Sequence, residues 1–81
     1  MPFFVYILRS ESSGRSYVGH TADLQKRLAE HNIGKSKATK GKGPWRLIYQ
    51  EEFETRSLAA CRELYFKTIE GRIELKEKEI L

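Results

Sequence analysis

Two short strand-like runs near the start of the chain, joined by a polar segment, constrain its fold more than any other feature. The first run, FFVYILR (residues 3–9), is rich in aromatic and β-branched side chains, as in a strand buried on both faces. The second run, SYVGH (residues 16–20), follows the turn-forming segment SESSGRS. The sequence therefore predicts a β-hairpin with a long loop and, from it, an antiparallel sheet.

The next segment, ADLQKRLAEHN (residues 22–32), has the spacing of an amphipathic helix, because Leu24 and Leu28 lie one turn apart. Thr21 is expected to cap this helix, since its hydroxyl can accept from a free backbone N–H. Asp23 would then be favourable in the first turn.

Arg27 and His31 fall on the same stripe of this helix as the two leucines. At about 100° per residue, Arg27 lies within about 60° of Leu24, and His31 within about 20° of it. A helix that only docked on a sheet would carry hydrophobic side chains at all four positions. The pattern indicates a helix that packs through its leucines and presents Arg27 and His31 to a cleft.

The second half of the chain predicts one more strand and a long helix. The first helix is expected to stop at Gly34, and WRLIYQEEF (residues 45–53) is typical of a strand. Thr55 or Ser57 is expected to cap the helix SLAACRELYFKTIEG, which Gly71 is expected to break or kink. The predicted apolar arc of this helix, and the weak anchors of a helical tail after it, are Leu58, Tyr65, Phe66 and Ile69, and Ile73, Ile80 and Leu81.

These elements give the order β-β-α-β-α-α in a chain of 81 residues, which is enough for a single domain over residues 1–81. Three strands need a cover to be stable, and the helices supply it. The predicted class is α+β, with a small three-stranded antiparallel sheet flanked by helices.

Positive charge is concentrated in the first half of the chain. The net charge is +4, with +6 over residues 1–50 and −2 over residues 51–81. No acidic residue lies between His31 and Gln50, a stretch that contains Lys35, Lys37, Lys40, Lys42 and Arg46. Lysines spaced through a loop of small residues form a mobile cationic patch that suits phosphates, although a merely solvated loop is the alternative.

The single cysteine, Cys61, excludes an internal disulfide and fits a reducing compartment. No segment approaches the about 20 apolar residues of a membrane span. The N-terminal run alternates like a strand and lacks a basic leader. A cytoplasmic protein is expected, with no membrane association and no evident stable protein partner.

The run VYIL, followed eleven residues after its tyrosine by YVG, resembles the double motif of the GIY-YIG nuclease superfamily. The resemblance continues through YVGHTADLQKRLAEHN, with its helical arginine and a histidine one turn later, to the glutamate of AACRELYFK. It covers nearly the whole chain and is closest to the short, stand-alone bacterial members. Phe4 stands where the family has its first glycine, and Val18 where it has isoleucine, while both tyrosines are present.

The resemblance implies an endonuclease that hydrolyses DNA phosphodiester bonds with one divalent metal per site. Glu63 would hold that metal, Mg²⁺ or Mn²⁺, since one carboxylate completed by water and a substrate phosphate is an ordinary Mg²⁺ site. Arg27 would bind the scissile phosphate through its planar fork. The other catalytic candidates, which would orient or deprotonate the attacking water or position the phosphate, are Tyr6, Tyr17, His20 and His31.

Two further expectations concern a close approach to the sheet and the substrate. Gly19 lies inside a predicted strand, where a missing side chain lets another group approach the backbone. The expected nucleic-acid-binding residues are Asn32, Lys35, Lys37, Lys40 and Lys42. Branched, nicked and single-stranded DNA all remain open as substrates, and DNA repair or processing is the expected setting.

Two other functions fit the same residues. The chain could be a nucleic-acid-binding module of this fold with weak or no catalysis, or it could dock a partner protein through its acidic C-terminal half. Each candidate residue alone also has an ordinary structural explanation, since strand tyrosines usually pack in cores and helical glutamates are usually solvated. The combination of residues favours the nuclease.

Overall fold

Three antiparallel strands and three helices make up the computed structural model, which describes residues 1–81. In chain order the elements are β1 (Phe3–Ser10), β2 (Ser16–Thr21), α1 (Leu24–Asn32), β3 (Trp45–Phe53), α2 (Arg56–Phe66) and α3 (Ile69–Glu77). This order and the antiparallel sheet confirm the predicted fold class. No helix is long or apolar enough to cross a membrane.

The central position of β1 explains its continuous apolar sequence. The strand order is β2-β1-β3, so β1 has a neighbour on each side and helices on both faces, and Val5–Leu8 are all buried. The register pairs Tyr6 with Gly19 of β2 and with Gln50 of β3. Directly paired residues of antiparallel strands point to the same face. The register therefore decides which candidate residues can meet.

Each face of the sheet carries its own hydrophobic cluster. On the α1 face, Tyr6, Leu8 and Trp45 form a buried cluster, against which Leu24 and Leu28 of α1 pack. The predicted docking role of these two leucines is thereby confirmed. On the opposite α2 face, the cluster is formed by Val5, Ile7, Val18, Phe66 and Leu75.

The first helix begins later than predicted, because Asp23 rather than Thr21 is its N-cap. The Asp23 side chain accepts a hydrogen bond from the backbone N–H of Lys26, while the Thr21 hydroxyl accepts from the backbone N–H of Asp23. The predicted stop is confirmed. The helix ends at Asn32, and Gly34 follows with a φ of 83°.

The predicted long second helix is two helices, and Gly71 does not break it. Thr55 caps α2, Lys67 ends it and Thr68 caps α3, whose first turn contains the buried Gly71. A side chain at Gly71 would collide with the Tyr65 carbonyl oxygen. Gly71 therefore lets α3 pack closely on the end of α2, and the threonine cap makes the break.

The predicted apolar arc is correct only in part. Phe66 is fully buried, but Leu58 is 52% exposed and Ile69 is 77% exposed. Because the chain turns at Lys67, Ile69 belongs to α3 and no longer continues the α2 stripe. The tail anchors Ile80 and Leu81 do pack on the α2-face cluster, Ile73 is about half exposed, and Leu75 is a buried core residue that the pattern missed.

Candidate active site

The Tyr6 side chain lies across Gly19 of the neighbouring strand. A Cβ atom added to Gly19 would stand 2.5 Å from the Tyr6 hydroxyl oxygen and 2.7 Å from its ring carbon Cζ. Such distances are far below van der Waals contact, so only glycine leaves room for the phenol ring. The sequence prediction that another group approaches Gly19 is confirmed, and that group is Tyr6.

His31 connects Tyr6 to the loop that follows α1. Its Nε2 lies 2.8 Å from the Tyr6 hydroxyl, and its Nδ1 lies 2.7 Å from the Thr39 hydroxyl. His31 and Thr39 are each 1% exposed. With both ring nitrogens engaged inside the protein, His31 contacts Tyr6 rather than offering a nitrogen to a phosphate.

Burial shifts the pKa values of the two hydrogen-bonded side chains Tyr6 and His31. Burial raises the pKa of Tyr6 to about 12, although the Arg27 guanidinium acts in the opposite direction. Burial lowers the pKa of His31 below its ordinary value of 6.5, and the charge of Arg27 adds to that effect. At neutral pH, Tyr6 is thus a phenol and His31 an uncharged imidazole that can accept a proton.

Tyr17 flanks the same group and presents a free hydroxyl. Its ring centroid lies 4.9 Å from that of His31 and 6.3 Å from that of Tyr6. It is partly exposed, and its hydroxyl has no hydrogen-bond partner in the chain. The two tyrosines therefore share the α1 face, with Tyr6 buried and Tyr17 partly exposed.

Arg27 lies on α1 above these rings, as its stripe position predicted. Its Nη1 donates to the Glu30 carboxylate at 3.1 Å, and about a third of the side chain is exposed. Its guanidinium is also near enough to act on the pKa values of both Tyr6 and His31. An arginine with free N–H groups beside a tyrosine and a neutral histidine is suited to an anionic ligand.

His20 and Glu63 meet on the other face of the sheet. His20 pairs with Val5 and so faces α2, where its Nδ1 donates to Glu63 Oε1 at 2.6 Å. Because β2 is an edge strand, the His20–Glu63 pair and the Tyr6 group approach the same edge from opposite faces.

The Glu63 carboxylate gives a test of the expected metal site. No group of three or more His, Cys, Asp or Glu side chains is arranged to enclose a metal ion. Lys67 Nζ lies 2.6 Å from Glu63 Oε2, and the hydrogen bonds from Lys67 and His20 hold the pKa of Glu63 low, although burial alone would raise it. An ionised carboxylate that already attracts a cationic group suits a hard cation held by one protein ligand, substrate and water.

The segment between α1 and β3, residues 33–44, forms a basic loop whose backbone is fixed to the fold. The Thr39 carbonyl accepts from Trp45 Nε1 at 3.1 Å, and the Lys42 carbonyl accepts from the Ser10 hydroxyl at 2.5 Å. The loop was expected to be mobile, but these bonds anchor it at two points. Its four lysines are exposed and make no ion pair: Lys35, Lys37, Lys40 and Lys42.

Asn32, which was expected to bind nucleic acid, makes two hydrogen bonds within the fold. Its Oδ1 accepts from the Trp45 backbone N–H at 2.7 Å, and its Nδ2 donates to the Trp45 carbonyl at 3.1 Å. This two-point contact joins the end of α1 to the start of β3. The role of Asn32 in binding nucleic acid stays a prediction, as do those of the exposed lysines beside it.

Comparisons with known proteins agree with this arrangement. The family model of the GIY-YIG catalytic domain matches residues 2–77 of the chain. The chain belongs to the GIY-YIG family. Its catalytic domain is thereby one of a nuclease superfamily, as the double tyrosine motif predicted.

Curated relatives of this GIY-YIG chain are short proteins of similar length. A UPF0213 protein of Staphylococcus saprophyticus is 39% identical over 74 residues, which cover 90% of this chain and 89% of the relative. One from Clostridium perfringens is 42% identical, over 82% of this chain and 71% of the relative. The solution NMR structure of a UPF0213 protein from Bacillus halodurans is similar with a TM-score of 0.58, at 32% identity, over 99% of this chain and 85% of that chain.

Sequence reasoning missed two side chains of this GIY-YIG domain that contact candidate residues. Thr39 bonds His31 from the basic loop, and Lys67 bonds Glu63 from the C-cap position that follows α2. The i,i+4 spacing of Glu63 and Lys67 could have indicated their contact. No local pattern indicates Thr39, because the loop has no periodicity.

Proposed function

We propose that this GIY-YIG domain is a divalent-metal-dependent endonuclease that hydrolyses one DNA phosphodiester bond per site. The observation that carries the proposal is the Tyr6–His31 hydrogen bond beneath Arg27, because it combines a proton acceptor with an anion-binding cation. Family membership supports the reaction class. DNA repair or processing is the setting we propose for it.

Arg27 binds the scissile phosphate in this proposal. Its guanidinium stands on α1, which Leu24 and Leu28 hold to the sheet, and about a third of the side chain is exposed. Charge-assisted bonds from a guanidinium strengthen as negative charge develops on phosphate oxygens in the transition state. Tyr17 adds a neutral hydrogen-bond donor to the same phosphate.

Tyr6 moves the proton of the attacking water. Because burial raises the pKa of Tyr6 to about 12, Tyr6 is a phenol at pH 7 and a free phenolate is not available in quantity. The Tyr6 oxygen instead takes the proton of the water as its own proton passes to His31 Nε2. The water oxygen forms its bond to phosphorus, the ester oxygen leaves with its electron pair, and solvent protonates that oxygen.

Glu63 holds the divalent cation, with His20 orienting its carboxylate through the bond to Oε1. When bound, the cation supplies Lewis-acid stabilisation of the phosphate. Lys67 must leave Oε2 for this to happen. That movement is open to it, because Lys67 is about half exposed and its pair with Glu63 is a surface ion pair of the weak kind.

The test is cleavage of supercoiled, nicked, branched and single-stranded DNA by the purified chain with Mg²⁺ or Mn²⁺. The variants are Arg27→Leu and Glu63→Gln, each expected to lower cleavage by about a hundredfold or more. Arg27→Leu should leave the free energy of unfolding unchanged or raised, because it extends the leucine stripe of α1. Urea unfolding measures this.

Arg72→Leu is the matched control, since Arg72 is an exposed arginine of α3 that makes no ion pair. It should retain full cleavage. Cleavage that survives both Arg27→Leu and Glu63→Gln would overturn the proposal.

A second candidate function is a nucleic-acid-binding module with weak or no catalysis. The observation that favours it is the Lys67 ammonium on Glu63, which occupies the oxygen that a metal would need. Salt-dependent DNA binding without cleavage under any metal condition would select this function. Lack of any nucleic-acid binding at low salt would instead favour a protein-docking role.

A further inference from the structure

We propose that Thr39 is a positioning residue that fixes His31 as the Nδ1–H tautomer, leaving Nε2 free to take the proton of Tyr6. This inference rests on the proposed function for its catalytic meaning. The tautomer itself can be observed whether or not the chain cleaves DNA.

The argument starts at the Tyr6 hydroxyl. This hydroxyl is buried and makes a single hydrogen bond, to His31, so its O–H needs that partner as an acceptor. The one acceptor within hydrogen-bond distance is His31 Nε2, at 2.8 Å. In the opposite tautomer, Nε2–H would point at this oxygen and the buried O–H would have no acceptor, which is costly.

An unprotonated Nε2 requires the proton of the neutral imidazole to sit on Nδ1. That N–H is buried and needs an acceptor of its own. Thr39 Oγ1 is 2.7 Å away and makes no other side-chain hydrogen bond. Thr39 and His31 line an open cavity of about 610 Å³ together with the basic loop.

Thr39 is well held for this task. It is 1% exposed, its carbonyl accepts from Trp45 Nε1, and its backbone N–H donates to the Ser36 carbonyl. These backbone bonds do not use the hydroxyl. The basic loop therefore places the Thr39 hydroxyl against His31, while its lysines are exposed. The segment proposed to bind DNA thus also fixes the protonation of His31, the proton acceptor for Tyr6.

In the resulting step, the Tyr6 O–H bond breaks as the Nε2–H bond forms, and Tyr6 gains the proton of the attacking water. His31 becomes an imidazolium whose Nδ1–H stays bonded to Thr39. The charged or titratable side chains that face His31 are Tyr6 from β1, Tyr17 from β2, and Arg27 and Glu30 from α1. A change at Thr39 alters none of them.

The experiment compares Thr39→Val, which keeps the shape and loses the hydroxyl, with Thr39→Ser, which keeps the hydroxyl. Long-range ¹H–¹⁵N spectra of the full chain report the tautomer, and the two histidines are assigned with His31→Gln. Nδ1–H is expected in the unsubstituted chain and in Thr39→Ser. A shift toward Nε2–H is expected in Thr39→Val. The Trp45 fluorescence checks that each variant is folded.

Cleavage and its pH profile are the second measurement. Thr39→Val should lower the cleavage rate at least about tenfold and shift the pH at which cleavage is fastest. Thr39→Ser should keep the rate and the pH profile of the unsubstituted chain. An Nε2–H tautomer in the unsubstituted chain, or an unchanged tautomer in Thr39→Val, would overturn the inference. If no form of the chain cleaves DNA, the nuclease proposal fails while the spectra still decide the tautomer.

Discussion

A methyl group on Gly19 would occupy the space that the Tyr6 phenol now fills. The register places Gly19 directly beside Tyr6, and the ring crosses β2 at that point to reach His31. The middle of an edge strand is an unfavourable place for glycine, because it lacks a side chain to pack. Its presence there is explained by the position of a single hydroxyl.

Gly19→Ala is expected to destabilise the fold by about 1–3 kcal/mol and to break the Tyr6–His31 hydrogen bond, because the added Cβ displaces the phenol. Urea unfolding and the cleavage assay measure the two effects. Gly14→Ala is the control, since Gly14 has a φ of 77° with open space around it. It should cost about 1–2 kcal/mol and leave cleavage intact. Equal cleavage by both variants would contradict this account of Gly19.

The buried His31 is expected to make stability depend on pH in the mildly acidic range. Since its pKa is lowered in the folded chain, the unfolded chain takes up the proton first as the pH falls below 6.5. The free energy of unfolding should therefore decrease from pH 7 downward, by at most about 1.4 kcal/mol per pH unit. Urea unfolding between pH 7.5 and about 5.5 tests this range.

His31→Gln should lose that part of the pH dependence. The carboxylates with lowered pKa values titrate below their ordinary 4.5, outside this window: Glu51, Glu63 and Glu74. Identical slopes in the variant and the unsubstituted chain would show that His31 is not the group responsible.

At the scale of the elements, α1 and the α2–α3 pair have different tasks. The first helix uses Leu24 and Leu28 to hold Arg27 and His31 over the sheet. The α2–α3 pair contributes Phe66 and Leu75 to the hydrophobic cluster on the opposite face. It also places Glu63 at the β2 edge of the sheet. One face of the sheet thus bears the phosphate-binding and proton-transfer candidates, and the other bears the carboxylate.

Gly71→Ala is expected to destabilise the chain by about 3 kcal/mol or more. The new Cβ would collide with the Tyr65 carbonyl and stand 2.7 Å from the Phe66 Cα, and backbone atoms cannot move aside as a side chain can. Urea unfolding measures the change. Arg72→Ala, at the next and exposed position, should stay within about 0.5 kcal/mol of the original stability. A stabilised Gly71→Ala chain would show that Gly71 is an ordinary helical position.

At the scale of the whole molecule, charge is separated along the chain. The first half, with +6, contains the basic loop and Arg27, and the second half, with −2, contains Glu63 and the ion pairs of Arg62 with Glu51 and Glu74. Four exposed, unpaired lysines on an anchored loop can contact phosphates without first breaking an ion pair.

DNA binding is expected to weaken with salt in proportion to the lysines that contact phosphate. For duplex DNA, the double variant Lys35→Gln/Lys37→Gln should reduce the slope of log K against log salt by up to about 1.8. Fluorescence anisotropy over a salt series measures this slope. The variant Arg72→Gln/Lys76→Gln, with the same charge change on α3, should leave the slope unchanged. Equal slopes for the two double variants would remove the basic loop from the DNA contact.

Much of the fold was predictable because its signals are local. The β-branched and aromatic residues of the first two runs predicted the hairpin. The spacing of Leu24 and Leu28 predicted α1, and the double tyrosine motif indicated the family. The mistakes arose where two local signals compete. Asp23 rather than Thr21 caps α1, and Thr68 rather than Gly71 divides the last helices, because both residues of each pair are acceptable in isolation.

The sequence by itself determined the order of the elements, the leucine stripe of α1 and the residue types of the candidate site, since these depend on periodicity within short segments. Only the tertiary structure decided how the site is assembled. The strand register put Tyr6 over Gly19 and turned His20 toward Glu63 on the other face. The path of an aperiodic loop brought Thr39 to His31. Contacts between distant segments follow from register and packing, which no local pattern encodes.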